Sequence, residues 1–147
     1  SSIDAARRRW RLLVVAENSC TDAANTLPYL AALADRSPFI DIRVLRKADA
    51  TDLLAAHPLG ERQATPLVLV YDPEFTLRGA WIEHPASLRS LISALGDTLD
   101  RDSVRARVRA WYREDAGRSA LREVLGIMER GGPRPDAPSS KPPACGS

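Results

Sequence analysis

The apolar run Trp10 to Ala16 breaks into a polar turn, Glu17-Asn18-Ser19, and a cysteine then stands at the start of a helical pattern. The run is of strand length and lacks the polar alternation of an exposed strand, so it predicts a central strand buried on both faces. A buried strand passing into a helix commits the chain to an α/β layered fold. The same junction sets Cys20 where a helix has unpaired N–H groups and a positive dipole end, which favours thiolate over thiol. About 45 residues on, Ala64-Thr65-Pro66 leads directly into a second apolar run, Leu67 to Tyr71. A strand that opens on proline needs a special reason, because proline has no N–H for the ladder.

Between these runs the pattern from Asp22 is helical, with Ala23, Leu27, Leu30, Ala31 and Ala34 at three- and four-residue spacing, and it stops near Ser37-Pro38. Pro28 inside it predicts a kink between Ala24 and Pro28. Phe39, Ile40, Ile42, Val44 and Leu45 predict the next strand, followed by a short helix from Asp49 to Ala56 closed by His57-Pro58. Leu67 to Tyr71 and Thr76 to Ile82 flank Asp72-Pro73-Glu74, which reads as a hairpin. A helix from Ala86 to Leu99 completes an α/β sandwich in the order βαβαββα around a mixed sheet. Two further helices, 102–115 and 118–130, carry apolar stripes of Val104, Val108 and Trp111 and of Leu121, Val124, Leu125 and Met128. They read as an accessory hairpin whose stripes pack together or onto the sheet domain. The expected organisation is an arm over 1–9, the sheet domain over 10–99, the hairpin over 100–130 and a flexible tail over 131–147, rich in proline, serine and glycine.

A chain of 147 residues with 44% apolar content suffices for one cored domain. The 21 basic and 19 acidic residues are interspersed and the net charge is +2, which gives no support to nucleic acid as a partner. The stripe Arg101, Arg105, Arg109, with Asp100, Asp102, Glu114 and Asp115 nearby, reads as a solvated helix face. The two cysteines, 125 residues apart, make no disulfide framework and suit a reducing compartment, so a cytoplasmic location is expected. No apolar stretch approaches a membrane span, and Ser1 to Arg11 lacks the apolar core of a signal peptide. The chain opens on serine, which leaves room for an upstream segment and for a targeting sequence within it.

The cysteine at a helix start, the Thr-Pro before the third strand and the hairpin after a βαβ unit resemble the thioredoxin superfamily over residues 10 to 99. More narrowly, Ala16-Glu17-Asn18-Ser19-Cys20-Thr21-Asp22 is similar to the Ala-Glu-x-Trp-Cys-x-Asp segment of a bacterial thioredoxin-like group. Gly79-x-Trp81 and Trp111-Tyr112-x-x-Asp115-x-Gly117-Arg118-Ser119-x-Leu121 resemble its later segments. The resemblance implies a thioredoxin-like fold with two extra C-terminal helices. It also implies a cis proline at Pro66, facing Cys20. Three departures stand out. Cys20-Thr21-Asp22-Ala23 lacks the second cysteine of Cys-x-x-Cys, Ser19 replaces the tryptophan before the cysteine, and the N-terminal segment is shorter than the group's usual one.

These observations make Cys20 the candidate nucleophile of a monothiol disulfide reductant or redox-responsive module. Ser19, Thr21, Thr65 and Pro66 would form the substrate groove, with Thr65 offering main-chain groups to an extended peptide. The expected partners are peptide or low-molecular-weight thiols and disulfides, with no cofactor and no metal. Glu17 is a candidate proton relay. Cys145 is a candidate resolving thiol, since about 15 tail residues span at most roughly 50 Å. Asp22 has two readings, a carboxylate that disfavours the thiolate or the partner of Ser19 in a capping box. His57 and His84 each precede proline in no metal-ligand spacing and read as turn residues. The competing reading is a noncatalytic interaction module using the same groove.

Overall fold

Four strands form one mixed sheet in the computed structural model, which describes residues 9–130. Their order is β2-β1-β3-β4, with β1 Trp10–Ala16, β2 Ile40–Arg46, β3 Leu67–Tyr71 and β4 Leu77–Ile82. β1 runs parallel to β2, with Val14 opposite Val44, and antiparallel to β3, with Leu13 opposite Leu69. β3 and β4 are the antiparallel arms of the hairpin. Asp72 makes its turn, with Oδ1 accepting from the N–H groups of Glu74 and Thr76 at 2.9 Å each. The apolar runs at the two strands without polar alternation thus occupy the two inner positions, where both faces are covered.

The pleat sorts these runs into two cores. Leu12, Val14, Ala16, Val68, Val70 and Trp81 share one side with Ala23 and Leu30. Val15, Leu67 and Leu69 share the other with Ala50 and Leu54. Leu54 belongs to helix α3, Thr51–Ala56, which follows a single 3₁₀ turn at Lys47–Asp49.

The helix after β1 is interrupted between Ala24 and Pro28, where the kink is expected. It is two helices, α1 Thr21–Ala24 and α2 Leu27–Arg36, separated by Asn25 and Thr26. Pro28 falls in the first turn of α2, where its missing N–H would have had no intrahelical partner, so the chain breaks before the proline instead of bending around it. Helix α4, Ala86–Gly96, ends three residues short of the predicted Leu99.

Of the last two helices, α5 Arg101–Asp115 and α6 Arg118–Arg130, α6 packs onto the sheet domain, one of the two placements its apolar stripe allows. Val124 and Ala120 of α6 lie in the same core as Leu12, Val14, Val68, Val70 and Trp81. Two features of β4 let α6 dock. A Cβ on Gly79 would stand 2.7 Å from Ile127 Cγ2, so a side chain there would push the helix side chain away. The Trp81 indole N–H donates to Glu123 Oε1 at 2.7 Å, and Glu123 Oε2 accepts from the Ala86 N–H at 3.1 Å. Trp81 is buried, so Glu123→Ala leaves its N–H without an acceptor and should lower stability by about 2 kcal/mol. Denaturant unfolding followed by tryptophan fluorescence measures this, and Glu123→Gln, which keeps an acceptor, should recover most of the loss.

Candidate functional site

Three chain segments meet at one end of the sheet. Cys20 follows β1, Thr65-Pro66 precedes the antiparallel β3, and Glu83-His84 follows β4. The Glu83 N–H donates to Pro66 O at 2.7 Å, so the β4 exit is tied to the β3 entrance, and Glu83 adopts φ 73° to make the turn.

Cys20 is the N-cap of α1. Its Sγ accepts from the Ala23 N–H at 3.4 Å and donates to Thr65 O at 3.3 Å. The Thr65-Pro66 peptide bond is cis. Cys20 is half-buried and packs against the edge of the core. Ala23, where the family pattern has its second thiol, is a buried core methyl.

The capping-box reading of Ser19 and Asp22 fails because the helix starts one residue later than it requires. Cys20 caps the helix with its own sulfur. The Asp22 carboxylate instead accepts a short hydrogen bond from the Tyr112 hydroxyl on α5. Burial raises the Tyr112 pKa far above the phenol value, and the hydrogen bond and charge of Asp22 push it further, with Cys20 and Glu83 adding to the effect. Tyr112 is therefore a fixed neutral donor.

His84 sits in the turn after β4, as its place before a proline suggests, but it is buried there. Its side chain is 8% exposed, with Nδ1 3.5 Å from Asp22 Oδ1 and Nε2 3.6 Å from Glu83 Oε1. Glu83 in turn receives both Arg62 Nη1 and Nη2, at 2.7 and 2.6 Å, and this hydrogen bond to Glu83 raises the Arg62 pKa. Arg89 Nη2 donates to the carbonyls of Ile82 and His84 and so fixes the turn. Sequence reading missed this cluster because its members are scattered from Asp22 to Tyr112 and no local spacing joins them. The available signals were Tyr112 within the Trp111-Tyr112 resemblance and the polar Glu83-His84-Pro85 directly after a strand.

Glu17 places its carboxylate 3.3 Å from Lys47 Nζ at the surface, and its carbonyl accepts from the Cys20 N–H. His57 caps α3, and burial lowers its pKa. Cys145 lies outside the described residues. Beside Thr21 and Asp22, a cavity of about 190 Å³ is lined by Ile92, Val104, Val108, Arg105 and Arg109.

A βαβ unit, an antiparallel hairpin and a cysteine facing a cis proline at the sheet end define the thioredoxin-like class of α/β folds. A thioredoxin family model matches residues 1–101, and the chain belongs to that family. A protein of unknown function from Pseudomonas aeruginosa, solved by crystallography, is 31% identical with a TM-score of 0.65, over 90% of this chain and 75% of that one. A crystal structure of an HIV epitope-scaffold is 30% identical with a TM-score of 0.61, over 88% of this chain and 74% of that one. No curated protein matches. No helix among the described residues is long and apolar enough to cross a membrane.

Proposed function

We propose that this protein is a monothiol exchange factor in which Cys20 attacks peptide or low-molecular-weight disulfides. The observation that carries the reading is the position of the Cys20 sulfur, held between the Ala23 N–H and the Thr65 carbonyl beside the cis peptide bond. In the reaction, the Cys20 thiolate attacks one sulfur of a disulfide. A Cys20–substrate disulfide forms, the substrate S–S bond breaks, and the departing thiolate takes up a proton. With Ala23 in place of a resolving thiol, an external low-molecular-weight thiol attacks the mixed disulfide, frees Cys20 and carries the oxidation away.

Thr65 and Pro66 form one wall of the groove and Ser19 and Thr21 the other. Arg105 and Arg109, read from sequence as part of a solvated stripe, line the adjoining cavity with Thr21 and favour a substrate bearing carboxylates, as glutathione-like thiols do. Glu17 is poorly placed as a proton relay for the thiol, since its carboxylate is paired with Lys47.

The test is turnover of a glutathione-mixed disulfide substrate with glutathione as reductant, alongside iodoacetamide alkylation of Cys20 across pH. Turnover should vanish in Cys20→Ser and persist in Cys145→Ser. If the native chain shows no exchange and Cys20 alkylates no faster than an unfolded peptide thiol, the protein is a noncatalytic interaction module.

A further inference from the structure

We propose that Asp22, Glu83 and His84 form a binding site for a divalent transition-metal ion of the zinc type, beside Cys20 but not using it. One ligand atom from each of the three residues lies within 4.8 Å of the others. The decisive group is His84. Its side chain is more than nine-tenths buried, yet Nδ1 has no hydrogen-bond partner among the described residues. A buried imidazole nitrogen left without a partner is costly, and such groups are rare unless something else takes the lone pair or proton. Nδ1 stands 3.5 Å from Asp22 Oδ1 without making a hydrogen bond to it. Two ligands each about 2.0–2.1 Å from a tetrahedral zinc ion are about 3.4 Å apart, so Asp22 and Nδ1 are spaced as neighbours on one ion, while Glu83, which lies 3.6 Å from Nε2, must swing its carboxylate towards Nδ1 to complete the set.

The surroundings fit the same assignment. One imidazole and two carboxylates are a nitrogen–oxygen donor set suited to zinc and its neighbours in the first transition row. The Tyr112 hydroxyl donates to Asp22 Oδ1, the oxygen that faces His84, and so fixes that carboxylate as outer-shell donors fix metal-ligating ones, and Arg89 fixes the His84 backbone. Three protein donors leave a fourth tetrahedral position for water or an incoming group. The Cys20 sulfur is engaged with Thr65 O and Ala23 N–H and lies outside the donor set. Arg62 is the built-in competitor, because its guanidinium occupies both Glu83 oxygens until an ion takes one of them.

The experiment is titration of the full chain, in a Cys145→Ser background and stripped by chelator, with Zn²⁺ by calorimetry and with Co²⁺ by visible absorption. One ion per chain should bind, and the Co²⁺ spectrum should lack the near-ultraviolet band of a thiolate ligand and be unchanged in Cys20→Ser. His84→Ala and Asp22→Asn should each weaken binding by about 100-fold or more, since loss of even an outer-shell partner costs about 10–100-fold. Arg62→Gln, which frees Glu83, should tighten it. Circular dichroism checks that each variant folds, and the near-isosteric Asp22→Asn decides the matter if His84→Ala does not. The proposal is overturned by any of three results: no binding, binding indifferent to His84 and Asp22, or a thiolate band that disappears with Cys20. None of these bears on disulfide exchange by Cys20, which the preceding test reads separately.

Discussion

Ending the chain at Leu99 should abolish cooperative folding, although the fragment retains nearly all of the region that the thioredoxin family model covers. The reason is the placement of α6. Val124 is fully buried and Ala120 nearly so, and Leu121, Ile127 and Met128 pack partly against the same core. Removing the helix would expose Val68, Val70 and Trp81 on the sheet face while discarding those apolar partners. Burying one large aliphatic side chain contributes about 1.5–3 kcal/mol, so the set amounts to roughly 5–10 kcal/mol. That is the size of a whole domain's net stability, about 5–15 kcal/mol. The truncation would also remove Tyr112 from Asp22, and with it the tie between α5 and the first turn of α1. Urea unfolding of residues 1–99 and 1–130 makes the comparison. The longer chain should give a sigmoidal transition and the shorter one a gradual drift with aggregation. A sigmoidal transition of similar midpoint in the fragment would show that the hairpin is an addition to a self-sufficient fold.

The sheet and its flanking helices were legible because hydrophobic pattern and turn chemistry agree along most of the chain. β1 at Trp10–Ala16 and α6 at Arg118–Arg130 fall where the apolar run and the apolar stripe put them. Thr65-Pro66 and Cys20 stood out because each breaks a local rule, a proline opening a strand and a thiol in a capping position. What the pattern could not supply was depth. The Leu121-Val124-Leu125-Met128 stripe says that α6 covers something apolar, but only the short Gly79 and the indole donor of Trp81 reveal that β4 is its partner. The polar cluster was illegible for a related reason. His84 looks like any histidine before a proline until the Glu83–Pro66 backbone bond folds the turn onto Asp22, and Asp22 looks like a capping residue until Cys20 takes that role. Such clusters are set by tertiary closure between distant segments, which carries no periodic signature. Pro28 was legible as well, since the interruption at Asn25 and Thr26 falls inside the interval between Ala24 and Pro28. The kink takes the form of a break, because the chain uses the proline in the first turn of a new helix.

Gly117→Ala should be among the most damaging single substitutions available in this chain, with a loss of about 3–5 kcal/mol. Gly117 joins α5 to α6 at φ 77°, a left-handed conformation that costs a residue with a Cβ about 1–3 kcal/mol. Space makes it worse. A Cβ at this position would lie 2.2 Å from Tyr29 Cγ and 2.4 Å from Cδ2. These atoms belong to the base of the ring, so no rotation about the outer torsion clears them. Either Tyr29 leaves α2 or the α5–α6 junction lifts, and forced overpacking of this kind typically costs another 1–3 kcal/mol. The two contributions separate in a double-mutant cycle with Tyr29→Ala, which removes the ring but not the backbone strain. In that background Gly117→Ala should cost only the strain, about 1–3 kcal/mol, and the difference is the steric part. Equal costs in the two backgrounds would mean that the ring moves aside freely. Because the same junction sets the height of Tyr112 over Asp22, the variant should also loosen the contact between α5 and α1, read as faster amide exchange at Ala23 and Ala24 while the central strands keep their protection.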